Sequence, residues 1–260
     1  MREHLTIIKV GGKVVEEPES LKSLLKDFSR IAGHKILVHG GGKTATHLAE
    51  QLGIESKMVE GRRITDAETL KVVTMVYAGL VNKTVVAGLQ SLGTNAIGLT
   101  GADLDIIRAE KRPVGDIDYG FVGDIKRINN SSMFELINMG AVPVVAPITH
   151  DSKGQLLNTN ADTIASELAV SMSYEFDVRL VFCFEKPGVL LNEADDKSVI
   201  GEITPDLFEK YKAEGVVSGG MIPKLHNGFN ALKQGVGAIV ITNPQGLTGG
   251  LRGTRLLLKS

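Results

Sequence analysis

Short apolar runs alternate along the chain with segments whose apolar residues recur at helical spacing. Residues 21–32 are typical of the second kind and predict an amphipathic helix. The runs that predict strands cover residues 5–10, 35–39, 96–99, 141–148, 178–184, 236–242 and 254–258. Strands that alternate with helices favour a mostly parallel sheet covered on both faces. The chain is therefore predicted to be α/β, as one large domain or two closely joined lobes.

Glycine-rich stretches lie where predicted strands meet predicted helices. Gly11-Gly12 follows the first strand, Gly40-Gly41-Gly42 follows the second, and Gly219-Gly220 precedes a later helix. Backbone N–H groups at such a junction can bind an anion beside the positive end of the helix dipole. A tight turn that needs positive φ is the alternative and usually explains a glycine doublet, but three glycines in a row at the end of a strand favour close approach of a ligand.

The Gly-Lys-Thr sequence after the second strand resembles part of a P-loop but does not complete one. The P-loop pattern needs a glycine five positions before Gly42, where this chain has Leu37. The strict Gly-x-Gly-x-x-Gly fingerprint of dinucleotide-binding proteins is also missing from the sequence. Its absence argues against a dehydrogenase.

Basic residues stand at the ends of two predicted elements. Lys9 closes the first strand, where a buried lysine needs a ligand or a carboxylate beside it. An edge strand with Lys9 in solvent is the alternative. Arg62 and Arg63 precede a long predicted helix that has Leu80 on its apolar stripe, and a second helix is predicted at residues 85–92. Adjacent arginines are often solvated, but the guanidinium fork also binds a small carboxylate in a bidentate manner.

Composition narrows the class of protein. The 260 residues include 43% hydrophobic residues, and 29 basic against 30 acidic side chains leave no electrostatic footprint for nucleic acid. The single cysteine, Cys183, excludes an intrachain disulfide and a cysteine-cluster metal site, and its apolar surroundings predict a buried hydrophobe. No apolar run reaches the length of a membrane span, and a strand from about Leu5 leaves no room for a signal peptide. A cytoplasmic protein is expected.

Four motifs in a fixed order resemble the amino acid kinase family over essentially the whole chain. They are Lys9-Val-Gly-Gly12, His39-Gly-Gly-Gly42, Asn158-Thr-Asn-Ala-Asp162 and Gly219-Gly-Met-Ile-Pro-Lys224. A further block, Gly61-Arg-Arg-Ile-Thr-Asp66 followed by Gly79-Leu-Val-Asn-Lys83, is similar to that of the members that phosphorylate N-acetylglutamate. Each motif alone is weak, whereas the ordered set is specific.

The resemblance implies a three-layer α/β/α sandwich around a mostly parallel central sheet of about eight strands. A lobe over residues 1–175 would bind the acylated amino acid and form a homodimer, and a lobe over residues 176–260 would bind ATP. The implied reaction moves the γ-phosphoryl group of ATP to the side-chain carboxylate of N-acetylglutamate. This carboxylate is already ionised at pH 7, so the reaction needs no general base.

The resemblance also assigns roles to residues. Lys9 and Lys224 match the family's two transition-state lysines, and Asp162 would orient both. The other implied contacts are Gly41, Gly42, Arg63 and Asn158 to the substrate, Gly11, Gly12, Gly219 and Gly220 to the ATP phosphates, and Glu185 and Gly188 to the nucleotide. Mg²⁺ would be held chiefly by the ATP phosphates, with no dedicated metal site in the protein.

Two departures from the family pattern modify these expectations. Where the family usually has Ser or Thr followed by Asp-Val, this chain has Phe184-Glu185-Lys186, and Phe184 cannot donate a hydroxyl hydrogen bond to a nucleotide. Arginine-inhibited members carry an additional N-terminal helix that joins dimers into a hexamer, whereas only Met1–His4 precede the first predicted strand here. A homodimer insensitive to arginine is expected.

Two alternative functions stay open at this level. The first is the same reaction on another acylated glutamate, such as N-succinylglutamate, because the sequence does not place the side chains of the acyl pocket, to which the glycine-rich, hairpin-rich segment 101–130 is expected to contribute. The second is a sensor that binds nucleotide or amino acid without catalysis. Lys9, Lys224 and Asp162 argue against the sensor, because binding alone does not require two cations aimed at one point.

Overall fold

The computed structural model describes residues 2–59, 62–248 and 251–259. The strands within these residues are β1 His4–Val10, β2 His34–His39, β3 Met58–Val59, β4 Arg62–Arg63, β5 Ala96–Leu99, β6 Ile107–Lys111, β7 Gly123–Ile128, β8 Val142–Val145, β9 Ile148–His150, β10 Leu156–Asn158, β11 Asp177–Cys183, β12 Glu202–Ile203, β13 Ala238–Thr242 and β14 Thr254–Leu256. The helices are α1 Gly12–Glu16, α2 Pro18–Ser29, α3 Gly42–Gln51, α4 Ala67–Thr74, α5 Asn82–Ser91, α6 Asn130–Asn138, α7 Ala161–Met172, α8 Pro205–Ala213 and α9 Met221–Lys233.

The central sheet of the described chain has eight strands in the order β12-β14-β13-β11-β1-β2-β8-β5. Every neighbouring pair in it is parallel except β13 and β14, which are antiparallel. The strands that precede residue 176 form one half of the sheet, and the later strands form the other half. The two halves meet where β1 pairs with β11 over the full length of both strands, from His4 opposite Asp177 to Val10 opposite Cys183.

Alternation along β1 divides the interior into two cores. Leu5 and Ile7 point into a cluster with α6, α7, α8 and α9, whereas Ile8 and Val10 point into a second cluster with α2, α3, α4 and α5. Both faces of the strand are thus buried, as in parallel sheets covered by helices. The predicted α/β fold class, a sandwich of three layers around a mostly parallel sheet, is confirmed.

A smaller four-stranded sheet, in the order β10-β9-β6-β7, stands beside the end of the central sheet. Its β6 and β7 form the antiparallel hairpin that the glycine-rich segment 101–130 predicts. The single strand predicted at 141–148 is wrong, because the described backbone ends β8 at Val145 and begins β9 at Ile148. Pro147, between the two strands, cannot donate a ladder hydrogen bond, and the chain changes sheets there.

Residues 67–91 form one continuous helical segment, although the sequence pattern predicts two helices. A π-helical segment, Met75–Val81, joins α4 to α5. Leu80, which was predicted on the buried stripe, is 60% exposed, because the π turn shifts the helical phase. By length and composition alone this segment is long and apolar enough to cross a membrane, and 44% of its most apolar window is buried inside the protein. Core helices meet the same criterion, so this is weak evidence for a membrane span.

Candidate active site

A cleft of about 210 Å³ opens where β1 and β2 end, between the glycine loops, the start of α7 and the smaller sheet. Seven of the site residues predicted from the sequence line it: Lys9, Gly12, Gly41, Gly42, Arg63, Asn158 and Asp162. Clefts beyond the carboxyl ends of parallel strands are the usual ligand sites of α/β proteins. The structure therefore brings most of the predicted substrate and catalytic residues to one place.

Three charged side chains from distant segments meet at one end of the cleft. Lys9 Nζ, on β1, lies 2.9 Å from Oδ1 of Asp162 in the first turn of α7. Lys224 Nζ, in the first turn of α9, donates to Oδ2 of the same carboxylate at 2.9 Å. Each of the three side chains is only 10–14% exposed. One largely buried carboxylate thus aligns two lysines, and the solvated-edge alternative for Lys9 is wrong.

The three charges do not cancel, because two cations share one anion. Burial favours the neutral form of Asp162, but attraction to Lys9 and then Lys224 outweighs it and holds the pKa of Asp162 well below its usual range. Burial, followed by repulsion from Lys9, lowers the pKa of Lys224 despite the attraction of Asp162. Both directions express the same excess of positive charge. An anionic group that enters this end of the cleft would relieve it.

The glycine loops approach each other closely beside the lysines. A Cβ on Gly40 would lie 3.2 Å from the backbone nitrogen of Gly12, at the start of α1. Gly41 has φ of 151°, and a Cβ there would lie 3.1 Å from the ring of Tyr77. The Gly11 N–H is used inside the fold, since it donates to the Cys183 carbonyl at 2.8 Å. Gly12, Gly41 and Gly42 line the cleft.

Arg63 is held in the cleft beside the second glycine loop. Its Nη1 donates to Ser56 Oγ, and its Nη2 donates to the Gly42 carbonyl and to Thr46 Oγ1, each at 2.8 Å. The guanidinium is buried, and its Nε has no hydrogen-bond partner among the described residues. Three of the five guanidinium N–H groups are thus donated inside the fold, so Arg63 supports the second glycine loop and also lines the cleft. The neighbouring Arg62 is exposed.

Asn158 brings an acceptor to the cleft from the end of β10. Its Nδ2 donates to Thr65 Oγ1 at 3.0 Å, which fixes the orientation of the amide. The carbonyl oxygen of the side chain is left to accept from a donor such as an amide N–H.

The residues predicted to contact the nucleotide are arranged more loosely. Gly219 and Gly220 are exposed just before α9, and a Cβ on either would meet open space. Glu185 is exposed and pairs with Lys13. Gly188 is packed, since a Cβ there would lie 2.8 Å from both Thr254 Oγ1 and Val199 Cγ1. None of these four glycine and glutamate residues belongs to the described lining of the cleft.

Sequence reasoning assigned no role to a buried polar network behind the second glycine loop. His39 Nδ1 lies 2.8 Å from the Gly40 carbonyl, and its Nε2 lies 3.1 Å from Asn82 Nδ2. Asn82 also contacts the Val144 carbonyl and Lys83 Nζ. Asn82 and Lys83 close the block that begins at Gly79, so the signal was visible. Only the fold shows that this block reaches the end of β2.

Comparison with known proteins gives the same picture. The family model described as the amino acid kinase family matches residues 4–243. Acetylglutamate kinase of Phocaeicola vulgatus is 65% identical over 93% of this chain and 94% of its own length. Acetylglutamate kinase of Parabacteroides distasonis is 60% identical over 98% of this chain and 99% of its own. That of Methanopyrus kandleri is 42% identical over 96% and 99%.

Solved structures agree on the fold. The Streptococcus mutans protein smu.665 superposes with a TM-score of 0.82 at 26% identity, covering 97% of this chain and 98% of its own. The structure of carbamate kinase from Giardia lamblia bound to AMP-PNP has a TM-score of 0.71 at 13% identity, over 98% of each chain. A family match over most of the length, a shared fold and relatives well above 30% identity lead to one conclusion. The chain belongs to the amino acid kinase family.

Proposed function

We propose that the protein transfers the γ-phosphoryl group of ATP to the side-chain carboxylate of N-acetyl-L-glutamate. The products are N-acetyl-L-glutamyl 5-phosphate and ADP, and the reaction is a step of arginine biosynthesis. The substrate is inferred from the relatives of 42–65% identity named above, which are acetylglutamate kinases. The observation that carries the chemistry is the pair of lysines that Asp162 aligns at the end of the cleft.

The geometry matches what this reaction requires. The acceptor carboxylate is ionised at pH 7, so no residue has to remove a proton from it. The difficulty is to bring two anions together and to stabilise the charge on the phosphoryl group as it moves. Lys9 and Lys224 carry one more positive charge than Asp162 neutralises. We assign both lysines to the transferred phosphoryl group and Asp162 to their alignment.

The amino acid would occupy the cleft between this cluster and Arg63. We assign Arg63 to its α-carboxylate, because its guanidinium is a fixed positive charge that lines the cleft. Asn158 would accept from the amide N–H of the acyl group through its free carbonyl oxygen. Gly41 and Gly42 would donate backbone N–H groups to the reacting carboxylate, because their lack of Cβ permits close approach.

ATP would bind on the side formed by the later half of the central sheet. We assign Gly12, which begins α1, and Gly219 and Gly220, which precede α9, to the phosphates. Gly11 was expected there too, but its N–H is donated to the Cys183 carbonyl, so we assign it to the turn that presents Gly12. Glu185 and Gly188 would lie at the nucleotide, with Gly188 acting through packing against Thr254. This assignment divides the chain into a substrate and dimer lobe, 1–175, and an ATP lobe, 176–260.

Mg²⁺ would enter with the nucleotide. The one carboxylate among the described residues of the lysine cluster, Asp162, is already shared by Lys9 and Lys224, so it offers a metal little further capacity. The ATP phosphates and water would therefore supply most of its ligands, as is usual for this ion. When bound, Mg²⁺ neutralises phosphate charge.

We further propose a cytoplasmic homodimer. Met75 and Leu80 are 53% and 60% exposed on one long helical segment, and a second copy of this surface would cover them. Light scattering coupled to gel filtration measures the mass directly, and a monomer or a hexamer would contradict the proposal.

The function is tested by an ATP-dependent hydroxamate assay. Hydroxylamine traps the acyl phosphate, so the coloured product reports the proposed bond. N-acetylglutamate and N-succinylglutamate are compared at equal concentration, with free glutamate and an ATP-free reaction as controls. We expect the larger kcat/KM with N-acetylglutamate.

Each result distinguishes a different possibility. Preference for the succinyl compound would keep the kinase assignment and change the acyl group. If no hydroxamate formed with any substrate while calorimetry showed normal ATP binding, the kinase assignment would be rejected in favour of a non-catalytic sensor.

A further inference from the structure

The polar network behind the second glycine loop has only one consistent pattern of donors and acceptors. Asn82 Oδ1 accepts from Lys83 Nζ at 3.1 Å, so its Nδ2 is the donor to both Val144 O and His39 Nε2. His39 Nε2 must then be the acceptor nitrogen. The proton of the neutral ring is therefore on Nδ1, which donates to the Gly40 carbonyl at 2.8 Å.

Burial keeps the His39 ring neutral. His39 is fully buried, and burial is the main reason that its pKa falls to about 4, with repulsion from Lys83 acting in the same direction. The charged group that faces the network from the same helical segment is Lys83, which also donates to the Gly98 carbonyl at 3.2 Å. The ring therefore stays in the Nδ1–H form through the physiological range of pH.

The π turn explains how one helical segment brings the side chains of Tyr77, Val81 and Asn82 to the second glycine loop. Its backbone bond from the Asn82 N–H to the Tyr77 carbonyl places residue i+5 above residue i. In an α-helix, with 3.6 residues per turn, residue i+5 would be turned to another face. Tyr77 and Val81 pack against Gly41, and Asn82 bonds to the neighbouring His39. The segment thus holds the loop by packing and by hydrogen bonding together.

The consequence follows from the planarity of the peptide that joins Gly40 to Gly41. The described backbone has no cis peptide, so the Gly41 N–H points away from the Gly40 carbonyl. The carbonyl faces the buried His39 ring, whereas Gly41 lines the cleft. We propose that His39 and Asn82 are positioning residues, which fix the Gly40 carbonyl so that the Gly41 N–H is aimed at the acceptor carboxylate.

This inference rests on the proposed function only for its kinetic readout, and a separate measurement tests its geometry. In uniformly ¹⁵N-labelled protein, long-range ¹H–¹⁵N spectra distinguish the protonated from the bare imidazole nitrogen. The protein has six histidines, so the His39 signals are identified by their loss in His39→Asn. We expect the Nδ1–H tautomer, unchanged between pH 6 and 8. An Nε2–H tautomer or an imidazolium would overturn the proposal.

Two substitutions of His39 separate its two contacts. An asparagine amide nitrogen takes the place of Nδ1 and keeps a donor for the Gly40 carbonyl, whereas a glutamine nitrogen takes the place of Nε2. We expect His39→Gln to raise KM for N-acetylglutamate by about tenfold, the order of one lost hydrogen bond. His39→Asn should retain KM within about threefold, and neither should move KM for ATP by more than about twofold.

Matched controls are available in α3. His47 is exposed and touches Gln51, so His47→Gln and His47→Asn should leave all constants unchanged. If KM for N-acetylglutamate rose equally in both His39 variants, or if KM for ATP rose as much, His39 would have only a structural role and the proposal would be overturned. Circular dichroism checks folding. If neither variant folds, the tautomer in the unaltered protein decides, with the His39 signals assigned through selective labelling of Val38-His39, the one Val-His pair in the sequence.

A wild-type protein that forms no hydroxamate would refute the proposed function instead. The tautomer result would still stand or fall by itself, so the two failures are distinguishable.

Discussion

The amino-acid side and the nucleotide side of the candidate site differ in how firmly their residues are held. On the amino-acid side, Lys9, Asp162 and Arg63 are largely buried, and each is bonded to another element of the fold. On the nucleotide side, Lys224 is held as firmly by Asp162, but Gly219 is exposed before α9, and the ion pair of Glu185 among the described residues is with the exposed Lys13. Preorganised groups contribute most to transition-state stabilisation, because no reorganisation is needed during the reaction. Substitutions on the amino-acid side should therefore cost more.

The largest effect is expected from Asp162→Asn, which leaves two largely buried lysines without a counter-charge. Removing one member of a buried ion pair costs about 3–5 kcal/mol of folding free energy. Lys9 and Lys224 lower the pKa of Asp162 against the effect of burial. The folding free energy that the ionised carboxylate contributes is therefore fully present above its ordinary pKa of 3.8 and is lost progressively as pH falls from there toward the lower pKa of the folded state. Urea unfolding at pH 7 and at pH 3 should show the difference between variant and wild type shrinking at pH 3.

Lys224→Ala should lower kcat by about 10²–10³-fold and change KM for either substrate little, because the lost interaction forms with the moving phosphoryl group. Steady-state kinetics with both substrates measures this. Lys233→Ala is the matched control, since Lys233 is exposed at the far end of the same helix. A raised KM with unchanged kcat would assign Lys224 to ground-state binding.

Arg63→Ala should raise KM for the acylated amino acid by about 10–100-fold, the scale of a lost charged hydrogen bond. Arg63→Lys should recover little of this, because an ammonium cannot replace the fork to Gly42, Thr46 and Ser56. Arg127→Ala, at an exposed position of β7, serves as the control. A drop in kcat alone would mean that the roles of Arg63 and Lys224 have been exchanged.

Gly41→Ala and Gly219→Ala compare the two sides directly, because both glycines have positive φ. The Cβ added by Gly41→Ala would also lie 3.1 Å from Tyr77 and 3.3 Å from Val81, whereas a Cβ added at Gly219 would meet open space. We expect Gly41→Ala to lower stability by about 1–3 kcal/mol and Gly219→Ala by about 1 kcal/mol. Thermal unfolding of both variants measures this. Equal melting temperatures would contradict the predicted difference in stability.

The smallest effect is expected from Glu185→Gln. Its pair with Lys13 is exposed on both sides, and exposed pairs contribute little to stability. The melting temperature should be unchanged within error, and KM for ATP should change by less than about threefold. Loss of activity would show that the Phe184–Lys186 segment is as firmly organised as the amino-acid side.

The fold was predictable where apolar pattern and element length agreed. The predicted strands at 5–10 and 35–39 correspond to β1 and β2 within one residue at each end. The five-residue helix α1 gave too few apolar positions to be recognised, with Val14 and Val15 buried. Leu80 was misplaced because periodicity assumes 3.6 residues per turn, and the π turn breaks that spacing.

The site was predictable in its residue types but not in its geometry. The motifs singled out Lys9, Asp162 and Lys224, yet nothing in their spacing shows that one carboxylate lies 2.9 Å from both lysines. The role of Asn82 depends on a helical irregularity that no local pattern announces. Such contacts join segments that are far apart in the chain, so they follow from the packed fold alone.

The pairing of β1 with β11 also has a consequence for synthesis on the ribosome. β2 follows β1 closely, but the partner on its other side begins only at Asp177. At about 5–20 residues added per second, some 170 residues of separation correspond to roughly 10–35 s. For that interval β1, whose residues are mostly buried in the folded protein, has one unpaired edge, which is open to aggregation. A chaperone that binds extended apolar segments should therefore engage this chain early and release it once β11 has emerged.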